Sequence, residues 1–299
     1  MTTDRRLPKH KIVLHGGLGN HLFQWAYGHQ LGLLGFEVQF VFFHKEYVLE
    51  HTKISLGNFL PSCSHGKFVE VVLPRQRIAR IFMDPAHGKY PLRKYPKHLQ
   101  DTTVNPFLEF DTETAIKGRN HLGYYQNWKS IQKIEGVLTS ELWETLNARE
   151  RTSLEMQLEG VEVIHIRQGD TTTVKNMRTV GVLSSDYYSQ IPRKTSTTRI
   201  VLTDDREGAK KVVSGAQVDA IYGPDDLDAY QALGVMARAS SLYAANSTLS
   251  WWGGLLAQQK GAQVYIPEPF FRKFDPNPGL AFAFPGFELM ESHFLSTLD

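Results

Sequence analysis

The 299 residues carry 33 Lys+Arg against 31 Asp+Glu, a formal charge of +2, with 41% apolar and 21% charged side chains. That is the composition of an ordinary soluble globular protein; a chain of this length can bury about 75% of its extended surface, and about 150 residues per domain suggests two domains. Cys63 is the only cysteine, which excludes an internal disulfide and a zinc site built on several thiolates, and a charge of +2 gives no global argument for nucleic-acid binding.

In chain order, KIVLH reads as a strand, GGLGN as a glycine turn and HLFQWAYGHQLGLLG as a helix. Phe23, Ala26 or Tyr27, Gln30 or Leu31, and Leu34 recur at helical spacing, with Gly35 as the stop. FEVQFVFF is a second strand, completing a βαβ unit. Residues 44–160 hold short helical pieces (77–83 and 138–158) among proline-bearing loops. VEVIHI, RIVL and QVDAIY are strands, and LDAYQALGVMARA is a helix with Asp225 and Asp226 at its positive end. SLYAA, the helix STLSWWGGLLAQQK stopped by Gly261, and AQVYI as last strand follow. Alternating strands and helices imply open parallel sheets. The expected architecture is α/β, with two Rossmann-like domains facing a cleft: 1–158, and 159–299. No run approaches the ~18 apolar residues needed to span a bilayer, and the N-terminal MTTDRRLPKH lacks the apolar stretch of a signal peptide. A cytoplasmic protein is expected.

Six segments carry chemistry. Gly16, Gly17, Gly19 and Asn20 join a strand to a helix, where glycines allow a sharp turn and the helix terminus favours anions. A dinucleotide fingerprint is disfavoured, because Leu22 holds the third glycine's place and FEVQFVFF ends without a carboxylate. VIHIRQGD delivers His165, Arg167, Gly169 and Asp170 at a strand's carboxyl end, where an arginine suits a phosphate or else pairs with an aspartate. Asp204 and Asp205 follow another strand, to cap a helix, meet a nucleotide base or ribose, or hold a metal, though no third ligand stands at suitable spacing. Asn246, Ser247 and Thr248 form a polar helix entry, cap or anion cradle. Tyr124, Tyr125, Gln126, Asn127 and Trp128 place aromatic faces beside amides, suited to sugars or to a core cluster. Residues 67–98 hold eight basic residues against Glu70 and Asp84, either a solvated face or contact with an anionic membrane surface or phosphate-bearing acceptor.

Taken together, GGLGNH, GYYQ, HIRQGD, TDD and NSTLSWWG, in that order across residues 11–270, resemble the bacterial soluble α-1,2-fucosyltransferases of glycosyltransferase family 11. Two positions depart from the family pattern: His21 stands for a glutamine and Thr203 for a serine. The resemblance implies a GT-B-type fold, GDP-fucose as donor, inversion at the anomeric carbon, transfer to a galactoside 2-hydroxyl, and no cofactor or metal. It places Arg167 on the diphosphate with His165 and Asp170 shaping that site, Asp204 and Asp205 near guanosine, and Asn246, Ser247 and Thr248 on phosphate. Asn20 would reach the transferring sugar, Gly17 and Gly19 would border the donor, and His21, Tyr124, Gln126 and Trp128 would meet the acceptor. That acceptor is a galactose-terminated oligosaccharide or a lipid-linked glycan, with peripheral membrane contact through residues 67–98. The first domain becomes the acceptor side and the second the donor side. His15, His21 and Asp170 are the candidates for a base. Nothing in the motifs reads the sugar's 3-hydroxyl, so another GDP-deoxysugar such as colitose stays open, as does a nucleotide-sugar-binding protein without catalysis.

Overall fold

The computed structural model describes residues 9–43, 66–71, 107, 109–117, 120–121, 123–192, 197–213, 217–274 and 277–296. The chain forms two compact units, Met1–Leu138 and Thr139–Asp299.

In the first unit, β1 (Lys9–Val13), β2 (Glu37–Phe43), β3 (Gly66–Val71) and β4 (Asn120–His121) form a parallel sheet of order β3-β2-β1-β4. Helix α1 (Leu18–Leu33) crosses from β1 to β2 and is buried along most of its length. It ends as its sequence predicts: Leu34 is the C-cap and Gly35 follows at φ +87°, a left-handed position that favours glycine. Gly28 brings the helix onto the sheet, since a Cβ there would run into Phe40 and Ile12. Strand β4 has only two residues, and side chains supplement its short ladder. His10 Nδ1 lies 2.9 Å from His121 Nε2, and the Tyr27 hydroxyl lies 3.1 Å from His121 Nδ1. Helices α2 (Thr112–Lys117) and α3 (Trp128–Gln132) flank β4, and Asn127 caps α3 by accepting from the Lys129 N–H.

Helix α4 (Glu135–Ala148) spans the division between the units, twenty residues before the 158/159 boundary read from the sequence. From Thr139 onward its side chains engage the second unit's own elements. Gln259 Nε2 donates to Thr139 Oγ1 at 2.7 Å, Arg238 donates to Asn147 Oδ1 at 2.8 Å, and Trp143 lies about equally close to the Arg238 and Lys260 cations. The helical piece expected over 138–158 is two helices. Thr152 ends the continuity with a capping box to Glu155, starting α5 (Ser153–Gln157).

The second unit then runs β5 (Glu162–Ile166), a 3-10 turn (Asp170–Thr172), α6 (Val174–Thr179), α7 (Ser185–Ser189), β6 (Arg199–Thr203), α8 (Arg206–Val212) and β7 (Ala220–Tyr222). There follow α9 (Ala229–Ala237), β8 (Ser241–Tyr243), α10 (Thr248–Gln258), β9 (Gln263–Glu268) and β10 (Glu288–Glu291). AQVYI is therefore not the last strand: β10 adds in parallel to β9, and three of its four residues are exposed, so it offers little apolar pattern to read. The sheet order is β10-β9-β8-β5-β6-β7, all parallel. Its inner strands β5, β6 and β8 are covered on both faces and read as mostly apolar runs. Ile164, Ile166 and Val201 face Tyr187 and Tyr188 on one side, and Val163, Leu202 and Leu242 face Val235 and Met236 on the other. Gly253 and Gly254 permit close approach on two sides, since a Cβ would come within 2.7 Å of Met236 at the first and of Val264 at the second. Asp228, rather than Asp225 or Asp226, caps α9; Asp226 instead accepts from Arg206 and the Gly223 N–H.

Both units are thus Rossmann-like, with helices crossing between parallel strands. In each, the first strand lies inside the sheet, with the second and third strands to one side and the fourth to the other. The order reverses between β1 and β4 in one unit and between β5 and β8 in the other. Open α/β sheets bind ligands outside the carboxyl ends of the strands at that switch point.

Candidate functional site

The first unit's switch point joins GGLGN, after β1, to GYYQN, after β4. Gly16 makes the turn at φ +84°, where a Cβ would run into the Asn20 side chain. Gly17 is the extended N-cap of α1, and a Cβ there meets nothing within 4 Å. Gly19 is buried in the first helical turn. Asn20 Oδ1 accepts from Gln126 Nε2 at 2.8 Å, so two residues assigned to different subsites form one amide pair. The His15 and Tyr124 rings meet edge to face at 4.5 Å. Tyr125, at φ +55°, stacks on Tyr27 at 3.9 Å between centroids, which turns it into the core and away from a sugar-facing role. Trp128 opens α3 and is half-buried. Burial, with nearby His21 acting in the same direction, lowers the His15 pKa to about 3 against the Gly123 carbonyl's opposing effect. A neutral imidazole so hard to protonate is a weak proton acceptor.

One residue here was not singled out from the sequence. Gln24 is fully buried one helical turn after Asn20. Its Oε1 accepts from the His15 N–H at 3.0 Å, and its Nε2 donates to the carbonyls of His15 at 3.3 Å and Gly123 at 3.0 Å. The sequence signal was present: an amide on the buried face of α1, at i+4 from a motif asparagine.

The second unit's switch point joins HIRQGD, after β5, to NST, after β8. Arg167 Nε lies 3.8 Å from Asp204 Oδ2, with the two side chains 32% and 30% exposed. A pair this open adds little stability, but it orients a guanidinium that reaches solvent. Asp204 Oδ1 accepts from the Gln168 N–H at 2.7 Å, which fixes the loop carrying Arg167. Gly169 is needed for that approach, since a Cβ there would come within 2.8 Å of Asp204 Oδ2. Asp170 begins the 3-10 turn, and its side chain lies outside the described residues. Asp205 accepts from the N–H groups of Glu207 and Gly208 at 3.1 Å each, so it caps α8. Both members of the acidic pair therefore have work within the protein.

His165 is buried. Burial lowers its pKa to about 4, with Asp204 opposing and Arg167 assisting. Asn246 donates to the carbonyls of Val180 and Gly181 at 3.1 and 3.0 Å. Its Oδ1 and His165 Nδ1 are buried without a hydrogen-bond partner among the described residues. Ser247 is the N-cap of α10, and Thr248 is the helix's first residue.

Among the α-helices with a described N-cap residue, these two places differ from the others. Six helices (α3 and α5 to α9) are capped by a side-chain oxygen. The N-caps of α1 and α10, Gly17 and Ser247, make no such bond. At each switch point the helix therefore has no side-chain cap from its N-cap residue, a favourable setting for an anionic oxygen.

Residues 72–98 of the basic segment, with the helix expected at 77–83, lie outside the described residues. Among the described residues no helix is long and apolar enough to cross a membrane.

No known protein-family profile matches the chain. An alpha-1,2-colitosyltransferase of Escherichia coli is 25% identical over 298 residues, covering 89% of this chain and 95% of that protein. Among solved structures, the E. coli heptosyltransferase WaaC with ADP aligns at a TM-score of 0.47 and 9% identity, covering 95% of this chain and 93% of that one. The fucosyltransferase NodZ from Bradyrhizobium aligns at 0.44 and 12% identity, covering 84% and 93%. Scores this low add nothing to the topology already described. The fold class rests on the two parallel sheets themselves: two Rossmann-like α/β units.

Proposed function

We propose that this protein is a glycosyltransferase that moves a 6-deoxy sugar from a GDP donor, GDP-fucose in the first reading, to the 2-hydroxyl of a galactoside, with inversion and without a metal. The observation that carries the reading is the second switch point, where Arg167 and the uncapped α10 terminus stand at the carboxyl ends of adjacent strands. Sugar transfer passes through an oxocarbenium-like transition state, while negative charge grows on the departing diphosphate. A preorganised arginine and helix-terminal amides stabilise that charge. In this reading the second unit holds the donor, through Arg167, Ser247 and Thr248. Asn246 shapes the α10 entry and Asp204 aims the arginine. The first unit, through Asn20, Gln126 and Tyr124, meets sugar hydroxyls with neutral groups.

A second reading, GDP-colitose as donor, is favoured by the colitosyltransferase relative. Direct competition between purified GDP-fucose and GDP-colitose on one galactoside acceptor separates the two. The broader test is thermal stability against GDP, UDP, CDP, NAD and S-adenosylmethionine. A ligand at 100 times its Kd adds about 2.7 kcal/mol, so GDP should raise Tm clearly and the others should not. A shift with UDP and none with GDP would overturn the donor assignment. Transfer should persist in EDTA; loss with chelator and rescue by Mg²⁺ would restore a metal to the mechanism.

A further inference from the structure

Gln24 hydrogen-bonds the backbone on both sides of the first switch point. Its carboxamide grips both the N–H and the carbonyl of His15 in the loop after β1, and the carbonyl of Gly123 in the loop after β4. The residue after Gly123 is Tyr124, whose ring packs on His15, and Gln126 holds the Asn20 amide two positions further on. The ladder between β1 and β4 is only two residues long, so side-chain ties carry much of the connection between these loops.

We propose that Gln24 is a positioning residue for sugar transfer: by tying His15 to Gly123 it holds the His15, Tyr124 and Asn20 side chains in the arrangement that receives the sugar. This rests on the proposed glycosyltransferase reading. Gln24 is buried and touches no substrate; it acts through the two loops. Only an amide satisfies the site. Its oxygen must accept from the His15 N–H while its nitrogen donates twice, a division that neither a carboxylate nor a hydrocarbon can reproduce.

Two near-isosteric variants test this. Gln24→Met removes all three bonds. Gln24→Glu keeps the acceptor, but when ionised turns a charged oxygen toward two carbonyl oxygens; when protonated, its hydroxyl donates to one of them. Burial and the carbonyls raise the pKa of such a carboxyl. The Glu variant should therefore recover relative to wild type as pH falls, and the Met variant should not. The measurements are kcat and KM for the nucleotide sugar across pH, the thermal shift with GDP, and hydrogen exchange of segments 14–17 and 123–127.

The expected result is a tenfold or greater loss of kcat with the donor KM within about twofold, an undiminished GDP shift, and faster exchange in both segments. Should Gln24→Met not fold, Gln24→Glu at low and high pH carries the comparison alone. Unchanged exchange overturns the clamp. Faster exchange with unchanged kcat overturns the positioning role, and so does a Glu variant whose deficit is the same at every pH. If the wild-type protein transfers no sugar from any donor, the functional reading fails separately, and exchange alone then decides whether Gln24 ties the loops.

Discussion

The two units share the same strand order through their first four strands, and each sets an uncapped helix beside its switch point. The chemistry at the two places differs. At the first, amides, imidazoles and an aromatic ring are brought together: Asn20, Gln24 and Gln126 with His15, His21 and Tyr124. At the second, a guanidinium and a carboxylate stand in partial contact with water. The backbone layout supplies similar amide dipoles in both, so side chains decide what each can hold. Neutral groups suit hydroxyls, whose binding needs direction without charge; a guanidinium suits a diphosphate, whose charge it matches with two directed hydrogen bonds.

The largest expected effect tests the charged side of that contrast. Arg167→Lys keeps the charge and loses the planar fork, so turnover should fall by about 10²–10³, the effect of removing one transition-state donor. Near-normal turnover would make the pair with Asp204 merely structural. Next in size is a pH effect common to both units. His15 and His165 titrate near 6.5 when unfolded but only at about 3 and about 4 in the folded protein. Below pH 6.5 the unfolded chain therefore binds more protons, so stability falls as pH drops from 6.5 toward 4, by roughly 3 kcal/mol for His165. Tm measured from pH 7.5 to 4.5 should fall steeply in the wild type and less steeply in His165→Met; parallel curves would show that His165 does not contribute.

Smaller effects sharpen the contrast. Gln126→Leu should lower turnover about tenfold by releasing Asn20, while the Kd for GDP, read by calorimetry, stays within about twofold. An equal loss of GDP affinity would erase the division between a neutral and a charged place. Asp205→Ala should cost only about 1 kcal/mol in denaturant unfolding, the typical value of an N-cap, with GDP affinity unchanged. A large loss of affinity would return Asp205 to the nucleotide.

The comparison also shows how much could be read from the chain. Strands β1, β2, β5 and β6 and helices α1 and α10 were legible because each announces itself within a dozen residues, through an apolar run, a helical period or a glycine stop. Strand β10 was not, because its exposed edge needs no apolar pattern. The break before Ser153 was written in Thr152 and Glu155, yet helical periodicity ran over it. At the sites, the motifs marked the right loops while leaving the duties of individual residues open. Asp204 and Asp205 are adjacent in sequence, yet one braces the Arg167 loop and the other caps a helix. Both readings of Asp205 use the same carboxylate, so only the position of α8's N–H groups separates cap from ligand.

By itself, then, the sequence determined the α/β class, the crossovers, most helix stops and the loops that bear chemistry, because these depend on neighbours within a few residues. The tertiary structure decided which loops meet. That β4 lies beside β1 and β8 beside β5 depends on which apolar faces can be buried together across the whole unit, and no local pattern encodes it. Gln24 shows the consequence: its helical position could be read from the chain, but its bond to Gly123, 99 residues away, exists only once β4 has taken its place.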